Sequence, residues 1–180
     1  MTNEITHFHG RYLNMMERSG WEYVTRSNAS AVVALVAVTE NEEMVLVEQF
    51  RKPVEARVIE LPAGLVGDHA DPDEPILVAA ARELKEETGF VAASLEILME
   101  LPSSAGQSDE VISFVQAVGL KRVGPGGGDE SEDIQVHVIP LAEIDNWLTN
   151  QLATGITLDP KVYSALYWID RSSKWNEGGK

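Results

Sequence analysis

The acidic segment of residues 82–90, Arg-Glu-Leu-Lys-Glu-Glu-Thr-Gly-Phe, most constrains what this chain can fold into. Its residues are good helix formers, and Gly89 is placed to end a helix in a left-handed turn. At helical spacing Glu83, Glu86 and Glu87 lie on one face. Three such carboxylates repel one another unless a cation lies among them, and oxygen ligands favour Mg²⁺ or Mn²⁺. The segment therefore predicts a divalent-metal site, and the alternative is a solvated acidic face.

The same segment resembles the Nudix box, together with Glu74, which seven residues separate from Arg82. Arg82 is placed to hold a carboxylate in a bidentate pair. The motif departs at its first glycine, because Asp68 stands there. The better equivalent is Gly64. Nine residues lie between Gly64 and Glu74, where the motif has five, so the loop carries a four-residue insertion. Surface loops tolerate insertions of this kind. The resemblance implies a metal-dependent hydrolase of nucleoside diphosphates linked to another group.

Composition limits the class of protein. A chain of 180 residues with 44% hydrophobic content can bury one core, which predicts a single domain over residues 1–180. The net charge of −15 argues against binding of long nucleic acid, and no apolar run has the length of a membrane span. The absence of cysteine excludes disulfides and thiolate chemistry. The polar N-terminus lacks a signal-peptide layout, so a cytoplasmic location is the default expectation.

Hydrophobic patterning predicts an α/β protein. The predicted strands cover residues 21–26, 31–38, 44–50, 58–61, 95–101, 110–118 and 134–139, and the predicted helices cover about 75–88, 141–149 and 159–172. Mixed strands around an acidic helix suggest an α/β/α sandwich, which is also the fold that the Nudix resemblance implies. In the branch that the chain resembles, the N-terminal β-hairpin region, here residues 1–26, is often exchanged between subunits, which implies a homodimer.

Outside the box, the chain is similar to the branch of Nudix hydrolases that act on ADP-ribose and nucleotide sugars. The similarity lies in Glu-Gln-Phe-Arg, which ends at Arg51, and in Glu-Leu-Pro-Ala-Gly, which begins at Glu60. By this match Arg51 and Glu60 hold substrate phosphate or ribose, with Arg57 as a further candidate. The match also makes the Ala63 carbonyl a metal ligand, as suits the oxygen chemistry of Mg²⁺. A surface salt bridge is the alternative for Arg51.

The glycine-rich acidic loop of residues 124–133 is similar to the mobile loop that carries the general base in this branch. By the match, Glu130 is the first choice for the base, and Glu132 is the second, or a further metal ligand. Hydrolysis of a phosphoanhydride needs a base that orients and deprotonates water. A glutamate flanked by glycines can be withdrawn until substrate binds. The alternative is a flexible acidic hairpin loop.

Two features bear on the substrate. ADP-ribose pyrophosphatases commonly carry a proline where Ala105 stands, and Asp159-Pro160-Lys161 is similar to a signature of nucleoside diphosphate sugar hydrolases. A helix N-cap is the alternative for Asp159. The resemblance therefore implies a Mg²⁺-dependent enzyme, with Mn²⁺ as a possible substitute, that cleaves nucleoside diphosphate sugars to a nucleoside monophosphate and a sugar 1-phosphate. The alternatives are an ADP-ribose pyrophosphatase and a catalytically silent nucleotide-binding module.

Overall fold

The apolar runs of the sequence form the most deeply buried strands. The computed structural model describes residues 4–67, 71, 73–128 and 132–177, with side chains up to residue 171. The strands are β1 (Glu4–His9), β2 (Leu13–Arg18), β3 (Trp21–Arg26), β4 (Ala31–Ala37), β5 (Glu43–Arg51), β6 (Ala56–Glu60), β7 (Ala63–Val66), β8 (Phe90–Val91), β9 (Ser94–Pro102), β10 (Val111–Val118), β11 (Lys121–Arg122), β12 (Gln135–Pro140) and β13 (Thr157–Leu158). The helices are α1 (Ile76–Thr88), α2 (Ile144–Ala153) and α3 (Pro160–Glu177), and short 3₁₀ turns cover Lys52–Val54 and Leu141–Glu143.

The strands form antiparallel and mixed sheets. Strands β1, β2 and β3 make an antiparallel sheet in that order, and a four-stranded sheet has the order β7-β4-β10-β9. A second four-stranded sheet has the order β12-β5-β6-β13, in which β13 runs parallel to β6 and the other neighbours are antiparallel. Strands β8 and β11 form a small antiparallel pair. The predicted α/β class, with mixed sheets and N-terminal antiparallel strands, is confirmed.

The chain divides into two compact units, each built from three segments. The first unit contains Met1–Leu35, Ala63–Glu83 and Leu95–Gln116, and the second contains Val36–Pro62, Leu84–Ser94 and Ala117–Lys180. In the first unit the fully buried side chains include Val33, Leu35, Val66, Ala79 and Val115. In the second they include Met44, Leu46, Ile59, Leu84 and Leu148. The single-domain organisation remains a prediction.

Helix α1 begins and ends as the sequence predicts. At its start the Pro75 carbonyl accepts hydrogen bonds from the Val78 and Ala79 amides at 2.9 and 3.0 Å. At its end Gly89 has φ of +72°, which favours glycine, and its amide donates to the Lys85 carbonyl at 3.0 Å. The helix that carries the acidic motif is therefore continuous from its first turn to the glycine at its carboxyl end.

The structure contains a strand that was not among the predicted ones. Strand β7 begins at Ala63, two residues after the predicted strand of residues 58–61, and pairs antiparallel with β4, with Gly64 opposite Val33. The apolar run of β4 needs a hydrogen-bonding partner along its edge, and this tertiary demand outweighs the low strand propensity of glycine. Pairing with β4 fixes the backbone of the Leu-Pro-Ala-Gly segment.

Candidate active site

The three glutamates of α1 occupy helical positions i, i+3 and i+4, as predicted. Glu86 is exposed and Glu83 is half-buried, whereas Glu87 is only 3% exposed. A carboxylate loses hydration when it is buried, and favourable charges or hydrogen bonds must offset that loss. The burial of Glu87 therefore does not fit the alternative of a wholly solvated acidic face.

Arg82 organises the part of the motif that lies in the first unit. The sequence predicted that its guanidinium holds a carboxylate in a bidentate pair, and the structure shows Glu74 as that partner, at 3.0 Å from Nε to Oε1 and 3.1 Å from Nη2 to Oε2. It also donates to Oε1 of Glu83 at 2.8 Å and to the Leu65 carbonyl at 3.1 Å. The hydrogen bond with Glu74 is the main reason why the pKa of Arg82 is raised. Arg82 thus links the carboxylate of Glu83 to the backbone of strand β7.

Gly64 leaves the room that the Glu83 carboxylate occupies. A Cβ atom built on Gly64 would overlap the Cδ and Oε1 atoms of Glu83. Only a residue without a side chain lets the carboxylate pack this closely against the Ala63–Gly64 backbone. This approach supports Gly64 as the equivalent of the motif's first glycine. The four-residue insertion falls in the loop of residues 66–73, where residues 68–70 and 72 lie outside the described part of the chain.

The oxygen atoms of this region fit a hard divalent cation by their chemistry. The predicted donors are the Ala63 carbonyl and the carboxylates of Glu83, Glu86 and Glu87, and Mg²⁺ prefers such ligands. Within the described residues no group of three or more acidic or histidine side chains converges closely enough to enclose a metal. The Glu83 carboxylate forms an ion pair with Arg82. Metal binding by these residues remains a prediction.

In the second unit, the glycine-rich segment caps the carboxyl end of α1. The Gly127 amide donates to the Glu87 carbonyl at 2.8 Å, and the Gly128 amide donates to the Glu86 carbonyl at 3.0 Å. Residues 126–128 all have positive φ, and a Cβ atom on Gly126 would lie 2.6 Å from the Glu87 carbonyl oxygen. These glycines therefore let the loop backbone approach the helix end closely, whereas the sequence suggested only that they give flexibility.

The structure describes one of the two candidate bases. Glu132 is exposed, and its carboxylate lies so close to Gly128 that a Cβ atom on that glycine would overlap Oε2. Because the Gly128 amide donates to the Glu86 carbonyl, Glu132 lies next to a residue that is bound to the end of α1. Glu130 lies outside the described residues. The choice of base therefore stays a prediction.

Arg51 and Glu60 form a bidentate ion pair in the second unit. The distances are 2.8 Å from Nε to Oε1 and 2.5 Å from Nη2 to Oε2. Glu60 is buried, whereas the side chain of Arg51 is 44% exposed. The hydrogen bonds that Arg51 donates to Glu60 contribute most to raising the pKa of Arg51, and the charges of Glu60, Glu87 and Asp159 add to it. The pair thus presents a fixed, accessible cation in the electrostatic neighbourhood of Glu87 and Asp159.

Asp159 is joined to the same neighbourhood by strand pairing. The parallel register of β13 and β6 sets Leu158 beside Ile59. The residues that come next along the two segments, Asp159 and Glu60, are therefore neighbours. Asp159 accepts from the Lys161 amide at 2.7 Å and from its Nζ at 2.5 Å. The predicted N-cap interaction is therefore present, and it coexists with an ion pair that sets a carboxylate and an ammonium side by side.

Arg57 lies on the other face of the same sheet. The pairing of β5 with β6 sets Arg51 opposite Ala56 and Phe50 opposite Arg57. Because side chains alternate along a strand, Arg57 and Arg51 point to opposite faces. Arg57 donates to Glu48 and, at 2.9 Å, to Oδ2 of Asp133. The structure does not bring Arg57 together with Arg51 and Glu60.

Glu48 and His137, to which the sequence analysis assigned no role, are the interior partners on the Arg57 face of the sheet. Glu48 is only 5% exposed and also interacts with Nε2 of His137 at 3.0 Å. The rings of His137 and Trp147 are 5.0 Å apart. Burial raises the pKa of Glu48, but hydrogen bonds from Arg57 and His137 outweigh it, so the pKa is lowered. An acidic residue inside the apolar run of β5 was the available sequence signal.

Comparison with known proteins gives one family. The model of the NUDIX domain matches residues 28–162. Over 112 residues, 62% of this chain, it is 39% identical to a methanol dehydrogenase activator of Bacillus methanolicus and 38% identical to an ADP-ribose pyrophosphatase of Mycobacterium tuberculosis. These alignments span only 58% and 53% of those two proteins. A GDP-mannose pyrophosphatase of Enterobacter sp. is 31% identical over 180 residues, which cover 96% of this chain and 86% of that protein.

A solved structure supports the fold. The crystal structure of an ADP compounds hydrolase matches with a TM-score of 0.68 and 24% identity, covering 99% of this chain and 94% of that one. No helix in the described part of this chain is both long and apolar enough to cross a membrane. With three quarters of its length matched by the family model and the box residues Glu83, Glu86 and Glu87 in place on α1, the chain belongs to the Nudix family.

Proposed function

We propose that the protein is a Mg²⁺-dependent pyrophosphohydrolase that cleaves nucleoside diphosphate sugars to a nucleoside monophosphate and a sugar 1-phosphate. The observation that carries the proposal is the Arg51–Glu60 pair. Glu60 holds a partly exposed guanidinium, whose pKa the charges of Glu87 and Asp159 also raise. A planar guanidinium fixed by a buried carboxylate is suited to bidentate recognition of phosphate.

The metal would be held by the Ala63 carbonyl and by Glu83, Glu86 and Glu87. The packing of Glu83 against Gly64 supports this set, because it brings a carboxylate beside the proposed carbonyl ligand. A bound Mg²⁺ supplies charge neutralisation of the diphosphate and a Lewis acid for its cleavage. Arg82 keeps Glu83 oriented, and Arg51 and Lys161 contribute positive charge in a chain whose net charge is −15.

The general base is assigned to Glu130, with Glu132 as the alternative. Both lie in the loop whose glycines cap the end of α1, the helix that carries the proposed metal ligands. We expect Glu130→Gln to lower kcat by about a hundredfold or more, in line with the loss of a general base. If Glu132→Gln is the damaging change instead, the base is Glu132.

The sugar nucleotide is favoured over ADP-ribose on two grounds. Asp159 and Lys161 stand as an ion pair beside the Arg51 neighbourhood, where they can bind sugar hydroxyls and a phosphate. The similarity to the GDP-mannose pyrophosphatase covers nearly the whole chain. The higher identity to the ADP-ribose pyrophosphatase over a shorter segment makes ADP-ribose the second candidate.

A homodimer is part of the proposal. The N-terminal sheet exposes large apolar side chains, including Ile5 at 42%, Phe8 at 63% and Trp21 at 65%. Exposed apolar side chains on one sheet are typical of an interaction surface. Sedimentation or light scattering measures the mass directly, and a monomer at all concentrations contradicts this part.

The experiment is hydrolysis of GDP-mannose, UDP-glucose, ADP-ribose and a nucleoside triphosphate by the pure protein with Mg²⁺, with the products identified. We expect cleavage of a nucleotide sugar at a rate matching or exceeding that of ADP-ribose. A strong preference for ADP-ribose makes that the substrate and leaves Asp159 as a helix cap. Absence of turnover with every compound contradicts the enzyme assignment and favours a nucleotide-binding module.

A further inference from the structure

The loop of residues 124–133 is fixed differently at its two ends. At the upstream end, the Gly124 and Val123 amides donate to the Gly89 carbonyl at 3.1 and 2.8 Å. The Arg122 guanidinium donates to the Gly124 and Pro125 carbonyls, both at 3.2 Å. With the two amides that cap α1, this end is held by many backbone interactions.

At the downstream end, an ion pair between two side chains holds the loop in place of backbone hydrogen bonds. Nη1 of Arg57 donates to Oδ2 of Asp133 at 2.9 Å, although the side chain of Asp133 is 84% exposed. The next residue, Ile134, is buried and leads into β12. Asp133 is therefore the last residue before the chain enters the core, next to the candidate base Glu132.

The orientation of Arg57 is set from the interior of the protein. Its Nε donates to the buried carboxylate of Glu48, and Nη2 lies 3.5 Å from the Glu48 backbone carbonyl. With Nε held inside, the guanidinium plane leaves Nη1 facing Asp133. A lysine, with a single ammonium on a flexible stem, does not reproduce two fixed donors of this kind.

We infer that Arg57 is a positioning residue: anchored by Glu48, it holds Asp133 and so places the neighbouring Glu132, the candidate base that the structure describes. The inference rests on the proposed function for its effect on turnover. It differs from the sequence-based expectation that Arg57 binds substrate, because Arg57 faces away from Arg51 and its Nη1 and Nη2 atoms each donate to a protein oxygen.

The test compares Asp133→Asn, Arg57→Lys and the double variant with the wild-type protein, and Asp145→Asn is the control. Asp145 lies exposed in α2, and its substitution makes the same change in net charge. We expect Asp133→Asn and Arg57→Lys each to lower kcat about two- to fivefold, the range of an exposed ion pair, with KM unchanged. The double variant should be no slower than the slower single variant, because both substitutions remove the same interaction, the Arg57–Asp133 ion pair.

Three results would overturn the inference. The first is an unchanged kcat in Asp133→Asn, and the second is a multiplicative loss in the double variant. The third is a raised KM in Arg57→Lys alone, which identifies Arg57 as a substrate ligand. If the ion pair were merely structural, Asp133→Asn would lower the unfolding temperature and leave kcat unchanged, whereas the inference predicts the reverse for a side chain that is 84% exposed.

Amide hydrogen exchange of peptides covering residues 123–136 tests the same contact without turnover. We expect exchange in this loop to become about two- to fivefold faster in Asp133→Asn and Arg57→Lys, and to stay unchanged in Asp145→Asn. Unchanged exchange in Asp133→Asn contradicts the inference even if the enzyme assignment holds. A wild-type protein inactive on all substrates contradicts the proposed function, and the exchange result still decides the role of Arg57.

Discussion

Strands β5 and β6 carry two arginine–glutamate pairs on opposite faces of one sheet. Arg51 pairs with Glu60 on one face, and Arg57 pairs with Glu48 on the other. Both glutamates are nearly inaccessible, with side-chain exposures of 7% and 6%, so the two pairs look alike in composition and burial. The surroundings distinguish them.

The remaining partners of each arginine indicate its role. The pKa of Arg51 is raised by Glu60 and additionally by Glu87 and Asp159, and its guanidinium is 44% exposed. Asp133 is a second carboxylate partner of Arg57, and His137 interacts with the second oxygen of Glu48. The first pair can receive an anionic ligand, whereas the second joins Asp133 and His137 in one network. The strand register is therefore needed to tell Arg51, which belongs to the matched motif, from the nearby Arg57.

The largest expected difference comes from the same substitution on each face. Arg51→Lys should lower kcat/KM for the best substrate by about ten- to a hundredfold, because lysine loses the planar pair of donors that phosphate recognition uses. Arg57→Lys should cost only the small kcat effect described above. Steady-state kinetics of the two variants measures the contrast, and equal losses would remove the distinction between the faces.

The next effect concerns stability, for which the larger loss is expected on the Arg57 face. Glu48→Gln removes the charge that Arg57 and His137 share in a buried position, so we expect the free energy of unfolding to fall by about 2 kcal/mol. Glu60→Gln removes one partner from an arginine that water can reach, and should cost about half as much. Urea unfolding of both variants compares them. A larger loss for Glu60→Gln contradicts the assignment of a structural network to the Arg57 face.

A smaller effect separates the two interpretations of Asp159. Asparagine caps a helix about as well as aspartate, so Asp159→Asn keeps the cap and removes the charge. If Asp159 helps to bind the sugar nucleotide, kcat/KM for that substrate should fall about three- to tenfold with an unchanged melting temperature. An unaltered kcat/KM means that Asp159 is only a cap.

The smallest expected effect is the pH dependence of the Glu48 network. The pKa of Glu48 in the folded state lies below its ordinary value of 4.5 because hydrogen bonds from Arg57 and His137 outweigh burial. The contribution of Glu48 to stability is therefore complete above pH 4.5 and is lost as the pH falls through the lowered pKa. The difference in unfolding free energy between wild type and Glu48→Gln should shrink over that range. A difference that grows on acidification contradicts the lowered pKa.

The sequence predicted the parts of the molecule that depend on local patterns. The box helix, its Gly89 end and the buried strands β4 and β5 follow from helix formers, a glycine at the C-terminal turn and β-branched runs. A bidentate pair of Arg82 with a carboxylate was also predicted and is present, although the partner, Glu74, was not named in advance. Such features need only neighbours a few residues apart.

Features that depend on pairing between distant segments were not predictable. The registers of β5 with β6 and of β6 with β13 place Arg57 away from Arg51 and Asp159 beside Glu60, and no local pattern encodes these registers. The close approach of Gly126 to the end of α1 also escaped prediction, because a glycine-rich loop reads as flexible until its partner is known. The roles of the site residues themselves remain predictions.

The most direct test of the central claim is the release of sugar 1-phosphate from GDP-mannose by wild type, Glu83→Gln and Glu87→Gln, with and without Mg²⁺. We predict Mg²⁺-dependent product from the wild type and none from either variant, with circular dichroism showing that both variants remain folded. Near-normal product formation by a folded Glu87→Gln protein, or an equal rate for the wild type without a divalent metal, would contradict the account.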